Sequence, residues 1–208
     1  MSAATEQLYL SATSQGFGRE DDSGIVRIFT PSTPTLVHEQ AKASAGKSEV
    51  LTPSVTPLEI SKIGFVGLGA MGIGMATSLV KGGFDVSGYD VYDPSIQKFV
   101  AIGGKAVSAS SPAEASIGAE VLVLMVQNAS QAEEVLFGAG AAAKSLPDGS
   151  IVILNSTVSP SAVRDLSARL TATGKNLELI DAPVSGGVAR AAIGQLTVST
   201  FTLVECSY

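Results

Sequence analysis

Ile63-Gly64-Phe65-Val66-Gly67-Leu68-Gly69-Ala70-Met71-Gly72-Ile73-Gly74-Met75-Ala76 is the stretch that decides the fold. A short apolar strand, Ile63 to Val66, runs into Gly67-x-Gly69-x-x-Gly72, and an amphipathic helix follows with Met75, Leu79 and Val80 on one face. Each glycine has a separate expected task. Gly67 makes the tight turn out of the strand, Gly69 lets backbone approach a pyrophosphate, and Gly72 lets the helix pack close to the sheet. The segment Gly67-Leu68-Gly69-Ala70-Met71-Gly72 is thus a candidate phosphate cradle, because first-turn N–H groups and the positive end of a helix attract anions. A second apolar strand, Phe84 to Tyr89, ends in Asp90, 18 residues beyond Gly72. An acid there is placed to accept hydrogen bonds from an adenosine ribose. No arginine follows in Val91-Tyr92-Asp93, so the pattern favours NAD over NADP. A plain βαβ unit without ligand is the competing reading of the same residues.

Beyond this stretch, strands and helices alternate. Strands are expected over 62–67, 84–90, 121–126, 151–154 and 177–181, with a last one near 195–199. Helices are expected over 70–82, from Asp93-Pro94 onward, over 129–136, after Ser159-Pro160, and briefly after Gly187. Val121 to Val126 is apolar throughout, as suits a parallel strand covered on both faces. Ser159-Pro160 is an N-cap and first-turn pair, and Val163, Leu166 and Leu170 share one stripe of the helix behind it. Alternating βα units predict a Rossmann-type, doubly wound parallel α/β sheet with ligands at the carboxyl ends of its strands. Three polar or glycine-rich loops fall at such ends: Gln127-Asn128, Asn155-Ser156-Thr157 and Ser185-Gly186-Gly187. Asn128 and Thr157 are candidates for the carboxamide of a nicotinamide ring. Consecutive N–H groups at Ser185-Gly186-Gly187 suit a carboxylate. Taken singly, each loop also reads as an ordinary turn.

Composition narrows the function. The chain has 208 residues, 45% of them hydrophobic, 22 glycines and a formal net charge of −6. That charge argues against a nucleic-acid binder, which needs a basic stripe. One cysteine, Cys206, and one histidine, His38, cannot assemble a zinc or iron site, so no metal is expected. A Cys–His catalytic pair exists in arithmetic only. No run reaches the length of a membrane span, and Met1 to Leu10 lacks the basic and apolar regions of a signal peptide, so the expected location is cytoplasmic.

Residues 61–198 resemble the β-hydroxyacid dehydrogenases, the family of 3-hydroxyisobutyrate, tartronate semialdehyde and 6-phosphogluconate dehydrogenases. The matching segments are Gly64 to Ala76, Asn155 to Ser161, and Asp181 to Thr197, the last being highly specific for the group. Val126 to Gly138, where many members carry a Leu-Pro pair, is similar to the L-threonate dehydrogenase branch. The resemblance implies NAD(P)-dependent oxidation of a small hydroxy acid such as L-threonate or 3-hydroxyisobutyrate. It implies dinucleotide contacts at Gly67, Gly69, Gly72 and Asp90, nicotinamide-side contacts at Val126, Asn128 and Thr157, and substrate contacts at Ser185, Gly186 and Gly187. A methyltransferase or epimerase of the same fold is disfavoured by Asp181-Ala182-Pro183-Val184-Ser185-Gly186-Gly187.

The same comparison implies a particular organisation. Residues 1–29 resemble the last helix of such an enzyme and its exit. Residues 30–60, with four prolines among small and polar residues, read as a flexible linker. Residues 199–208 diverge from the family. The expected arrangement is the tail of one module, a linker and the start of a second, as in tandem fusion proteins. Family members carry their acid/base lysine on a helix that follows the last matched strand and leads into an all-α domain. Neither is found after Val198, so no catalytic residue is expected in this chain. A truncated, catalytically inactive dinucleotide-binding fragment is therefore the alternative function. A homodimer is compatible with the sequence.

Overall fold

The computed structural model describes residues 60–103 and 106–202. The expectations for residues 1–59 and for the end of the chain beyond residue 202 fall outside these. Nine strands and seven helices occur among the described residues. The strands are β1 Lys62–Val66, β2 Asp85–Tyr89, β3 Ala106–Ser108, β4 Val121–Leu124, β5 Ile151–Leu154, β6 Glu178–Asp181, β7 Val184–Ser185, β8 Thr197–Val198 and β9 Phe201–Thr202. The helices are α1 Gly72–Lys81, α2 Asp93–Val100, α3 Pro112–Ala115, α4 Ala129–Phe137, α5 Ala142–Ser145, α6 Pro160–Thr171 and α7 Gly187–Ala192.

Seven strands form one sheet in the order β3-β2-β1-β4-β5-β6-β9. The first six run parallel, with Ile63 beside both Val86 and Val121. β9 closes the edge antiparallel to β6, pairing Asp181 with Phe201. Strand order reverses between β1 and β4, which sends consecutive connections to opposite sides and opens a crevice at the carboxyl ends of those strands. The doubly wound sheet expected from the alternation is the fold observed.

Side-chain alternation explains the two covered faces. On one face Val66, Leu122, Leu124, Val152 and Leu154 pack with Leu136, Val163, Leu166 and Leu170 from α4 and α6. On the other, Ile63, Phe65, Val121 and Val123 pack with Ala76 of α1 and Phe99 of α2. Phe65, Phe99, Leu122 and Leu124 are wholly buried. Each such side chain contributes about 1.5–3 kcal/mol when removed from water. Truncating one to alanine, Leu124→Ala for example, costs about 2–5 kcal/mol. Phe99 needs Gly88 opposite it on β2, where a Cβ would lie 2.6 Å from the ring.

Helix starts follow the caps in the sequence. Ser159 Oγ accepts from the Ala162 N–H at 3.3 Å, as the Ser159-Pro160 pair predicts. Asn128 Oδ1 accepts from the Gln131 N–H at 2.9 Å, while Gln131 Oε1 accepts from the Gln127 N–H at 2.9 Å. Ser111 and Glu114 make a similar reciprocal pair, with Glu114 holding the Ser110 N–H at 2.6 Å. Lys175 donates to the carbonyls of Lys144 and Leu146 at 2.6 and 2.7 Å, closing the end of α5.

Two expectations are corrected. The strand expected over 121–126 ends at Leu124. Met125 still donates to the Val66 carbonyl at 2.9 Å, but the Val126 N–H turns to Ser156 Oγ at 3.0 Å, so the ladder stops there. The strand expected near 195–199 is Thr197–Val198, and it pairs antiparallel with β7 in a separate two-stranded ribbon. The sheet edge beside β6 belongs instead to β9.

Candidate functional site

The glycine turn after β1 is built as the spacing requires. Gly67 adopts φ +99, and a Cβ there would sit 2.2 Å from the Met125 carbonyl oxygen. Its N–H donates to the Tyr89 carbonyl at 2.9 Å, tying the turn to the end of β2. At Gly72 a Cβ would lie 1.8 Å from the Gly67 carbonyl oxygen, so only glycine lets α1 start this close to the turn. Around Gly69, by contrast, no protein atom lies within 4 Å of where a Cβ would project. The protein does not require glycine there, whereas a ligand lying over the loop would. Leu68 is buried, and Gly69 and Ala70 are exposed. Met71 takes the N-cap position of α1 without a side-chain cap, while the Ile73 N–H donates back to the Gly69 carbonyl at 3.0 Å.

Asp90 reaches across from the end of β2. Its Oδ2 accepts from the Leu68 N–H at 2.7 Å and its Oδ1 from the Tyr92 N–H at 2.8 Å. Gly67, Gly69, Asp90 and Val126 line one cleft of about 400 Å³, between the loop after β2 and the start of α4. Gln131 and Glu134 of α4 also line it, and no lysine or arginine does. Val91 and Tyr92 stand exposed on its lip.

The remaining candidates are placed unequally. Val126 faces the cleft. Thr157 is exposed just past the end of β5. Asn128 is exposed and holds the α4 N-cap through Oδ1. Ser185, Gly186 and Gly187 lie outside the residues lining this cleft. Ser185 pairs with Thr197 in the small ribbon, and Gly186 and Gly187 take φ +131 and +70 at the start of α7. α7 lies against α1, because at Gly74 a Cβ would meet Ala191 backbone atoms at 2.7–2.8 Å.

Several contributors were not singled out from the sequence. Gly74 had a signal, since a mid-helix glycine costs about 1 kcal/mol relative to alanine and so asks for a packing reason. Gln131 and Glu134 had none, because they read as the polar face of an amphipathic helix. Asn155 and Ser156 are buried at the rim. Asn155 Nδ2 donates to the Ala182 carbonyl at 2.6 Å, and Ser156 Oγ receives the Val126 N–H, so two side chains after β5 fasten the exits of β6 and β4. At the end of β6, burial pushes the Asp181 carboxyl above its ordinary value. Among the described residues, no cluster of His, Cys, Asp or Glu could hold a metal ion, and no helix is long and apolar enough to cross a membrane.

Residues 62–200 match the model of the NAD binding domain of 6-phosphogluconate dehydrogenase. The chain belongs to that family. Its dinucleotide-binding domain is that of the β-hydroxyacid dehydrogenases. L-Threonate dehydrogenase of Cupriavidus necator is 46% identical over 138 residues, which are 66% of this chain and 45% of the relative. Among solved structures, 3-hydroxyisobutyrate dehydrogenase from Salmonella typhimurium superposes with a TM-score of 0.62 at 37% identity, covering 67% of this chain and 47% of that one. Psf3 in complex with NADP+ and 2-OPP gives a TM-score of 0.58 at 27% identity, over 66% and 48%. The chain thus spans about half the length of the relatives it matches.

Proposed function

We propose that residues 62–200 bind NAD in the cleft between the β2 loop and α4, as the cofactor half of an oxidoreductase acting on a small hydroxy acid such as L-threonate or 3-hydroxyisobutyrate. The open space over Gly69 carries this reading, since it is the one glycine of the fingerprint that the protein itself does not require. The pyrophosphate would lie over Gly67-Leu68-Gly69-Ala70-Met71-Gly72, with the ribose hydroxyls at Asp90. Val126, Asn128 and Thr157 would face the nicotinamide, and Ser185, Gly186 and Gly187 would face the substrate. Bound NAD supplies hydride acceptance; these residues bind and orient.

The lining charges favour NAD over NADP. A 2′-phosphate would enter a cleft holding Asp90 and Glu134 and no lining cation. Like charges about 4 Å apart repel by about 1 kcal/mol in water and about 4 kcal/mol at a partly shielded site. NAD is therefore expected to bind at least tenfold tighter, since 1.4 kcal/mol is a factor of ten. Titrating the protein with NADH and NADPH and following nicotinamide fluorescence tests this. Equal affinity would remove the role given to Asp90.

A second reading, a dinucleotide-binding module without turnover, has its own supporting observation. Among the described residues no lysine lines the cleft. Lys62 begins β1, Lys81 ends α1, and Lys175 is engaged with the α5 carbonyls. A hydride leaves a hydroxyl-bearing carbon only when the hydroxyl proton has an acceptor. Purified 208-residue protein is expected to bind NADH without reducing NAD in the presence of L-threonate. Steady turnover there would overturn this second reading.

A further inference from the structure

We infer that Asp90 is a positioning residue for the glycine turn as well as the ribose acceptor of the proposed site; the inference rests on that reading of the cleft. An acid that only reads ribose hydroxyls needs no protein partner. Asp90 has two, one in the turn after β1 and one in the loop after β2. Oδ2 holds the Leu68 N–H at 2.7 Å, 22 residues back in the chain, and Oδ1 holds the Tyr92 N–H at 2.8 Å. The carboxylate thereby bridges the turn after β1 to the loop after β2.

The bridge holds the start of the turn, whose later part is tied to α1 by the Ile73 N–H donating to the Gly69 carbonyl at 3.0 Å. Gly67 is fixed by its own N–H to the Tyr89 carbonyl and by the Met125 backbone against it. Gly72 is fixed by the start of α1. Between them, Gly69 and Ala70 are exposed, and nothing lies within 4 Å of a Cβ direction at Gly69. The Leu68 side chain is buried, and its N–H points at Asp90 rather than toward the open cleft. With that N–H held, the peptide planes that follow are set, and the next N–H groups are presented to a phosphate without further ordering. Bonds of this kind, with an ionised acceptor, are about twice as strong as neutral ones. Each oxygen keeps a second lone pair for a ribose hydroxyl. One carboxylate therefore couples recognition of the sugar to the shape of the phosphate cradle.

A ligand without ribose hydroxyls separates the two roles. ADP and 2′,3′-dideoxy-ADP are titrated calorimetrically into the wild-type chain, Asp90→Asn and Asp90→Ala. If Asp90 positions the turn, Asp90→Ala weakens dideoxy-ADP by five- to twentyfold, and Asp90→Asn, with one acceptor oxygen left, falls between. Equal dideoxy-ADP affinity in all three proteins overturns the inference while leaving the ribose role intact. Amide hydrogen exchange provides the ligand-free arm. The Leu68 and Tyr92 amides should exchange at least tenfold faster in Asp90→Ala, while core amides such as that of Leu170 keep their wild-type rates. Unchanged Leu68 exchange overturns the inference too. Uniformly faster exchange throughout the domain also overturns it, because Asp90 would then support only global stability. Failure of the wild-type protein to bind ADP or NAD removes the proposed function instead, and the exchange arm still decides whether the clamp exists.

Discussion

Gly69→Ala separates folding from ligand binding within one motif. No protein atom lies within 4 Å of the added Cβ, and the position carries no positive φ that would strain an L residue. Replacing glycine by alanine at such a site removes unfolded-state freedom and stabilises by about 0.4–1 kcal/mol. For a domain of this size that raises Tm by about 1–4 °C. The methyl group would occupy the space through which the pyrophosphate is proposed to pass. Crowding of that kind costs about 1–3 kcal/mol, or about five- to 150-fold in Kd. A thermal melt and an NADH fluorescence titration on the same preparation read both effects. Unchanged NADH affinity would refute the path of the pyrophosphate over Gly69. A Tm lowered by several degrees would refute the open space. Either result would return the motif to an ordinary βα turn.

Gly72→Ala should behave in the opposite way, because its Cβ would lie 1.8 Å from the Gly67 carbonyl oxygen. We expect a loss of more than about 2 kcal/mol by urea melt, the upper range for overpacking; wild-type stability would refute the packing role. Lys175→Met removes two bonds to the α5 carbonyls, far from the cleft. It should lower stability by about 1–3 kcal/mol with NADH affinity intact, and a changed affinity would show that this end of the sheet is coupled to the site. Acid stability should reflect Glu114, whose carboxyl is held below its ordinary 4.5 first by the Ser110 hydroxyl and then by the Ser110 N–H. A depressed native value contributes stability that is complete above the ordinary value and lost as pH falls through the native one. Glu114→Gln should therefore flatten the fall in urea midpoint below about pH 4.5, and an unchanged slope would exclude the contribution. Asp181 has the opposite sign: burial raises its value above 3.8, so the charged form costs stability once pH exceeds that range. Asp181→Asn should raise the urea midpoint at neutral pH and leave it unchanged well below about pH 3; a lowered neutral midpoint would contradict this.

The sequence expresses the parts of this fold that depend on near neighbours. Val121 to Leu124 is apolar at every position, and both of its faces are covered. Val163, Leu166 and Leu170 share a stripe at helical spacing, and all three are buried. The short pieces were not legible. β3 has three residues, and α3 and α5 have four each, too few for a period to emerge. Thr197-Val198 and Phe201-Thr202 offer nearly equal strand signals. Which of them joins the sheet depends on what lies beside β6, a tertiary fact. Among the candidate site residues, the tight turn at Gly67, the close helix start at Gly72 and the placing of Asp90 beside that turn were legible because their spacing is set by one turn and one strand. Asn155 and Ser156 appeared only as polar loop residues, since their partners, Ala182 and Val126, lie 27 and 30 residues away in the chain.

Those two side chains also satisfy the backbone at the strand exits beside the crevice. Where parallel strands leave a sheet, their N–H and C=O groups lose ladder partners, and an orphaned buried group costs about as much as a lost hydrogen bond. At the exit of β4 the Val126 N–H would be such a group, and Ser156 Oγ takes it. At the exit of β6 the Ala182 carbonyl accepts from Asn155 Nδ2, while the Ala182 N–H donates to the Leu154 carbonyl. No buried side-chain polar atom among the described residues lacks a partner. With these backbone groups satisfied by Asn155 and Ser156, which follow β5, the chain leaves β4 and β6 without orphaned polar groups at the carboxyl edge of the sheet. Val126 and Gln127, just past β4, line the cleft together with Asp90 from the loop after β2. The Ser156 hydroxyl thus holds a cleft-lining residue, and Ser156→Ala should lower the urea midpoint and weaken NADH binding by releasing the Val126 N–H; unchanged NADH affinity would contradict this.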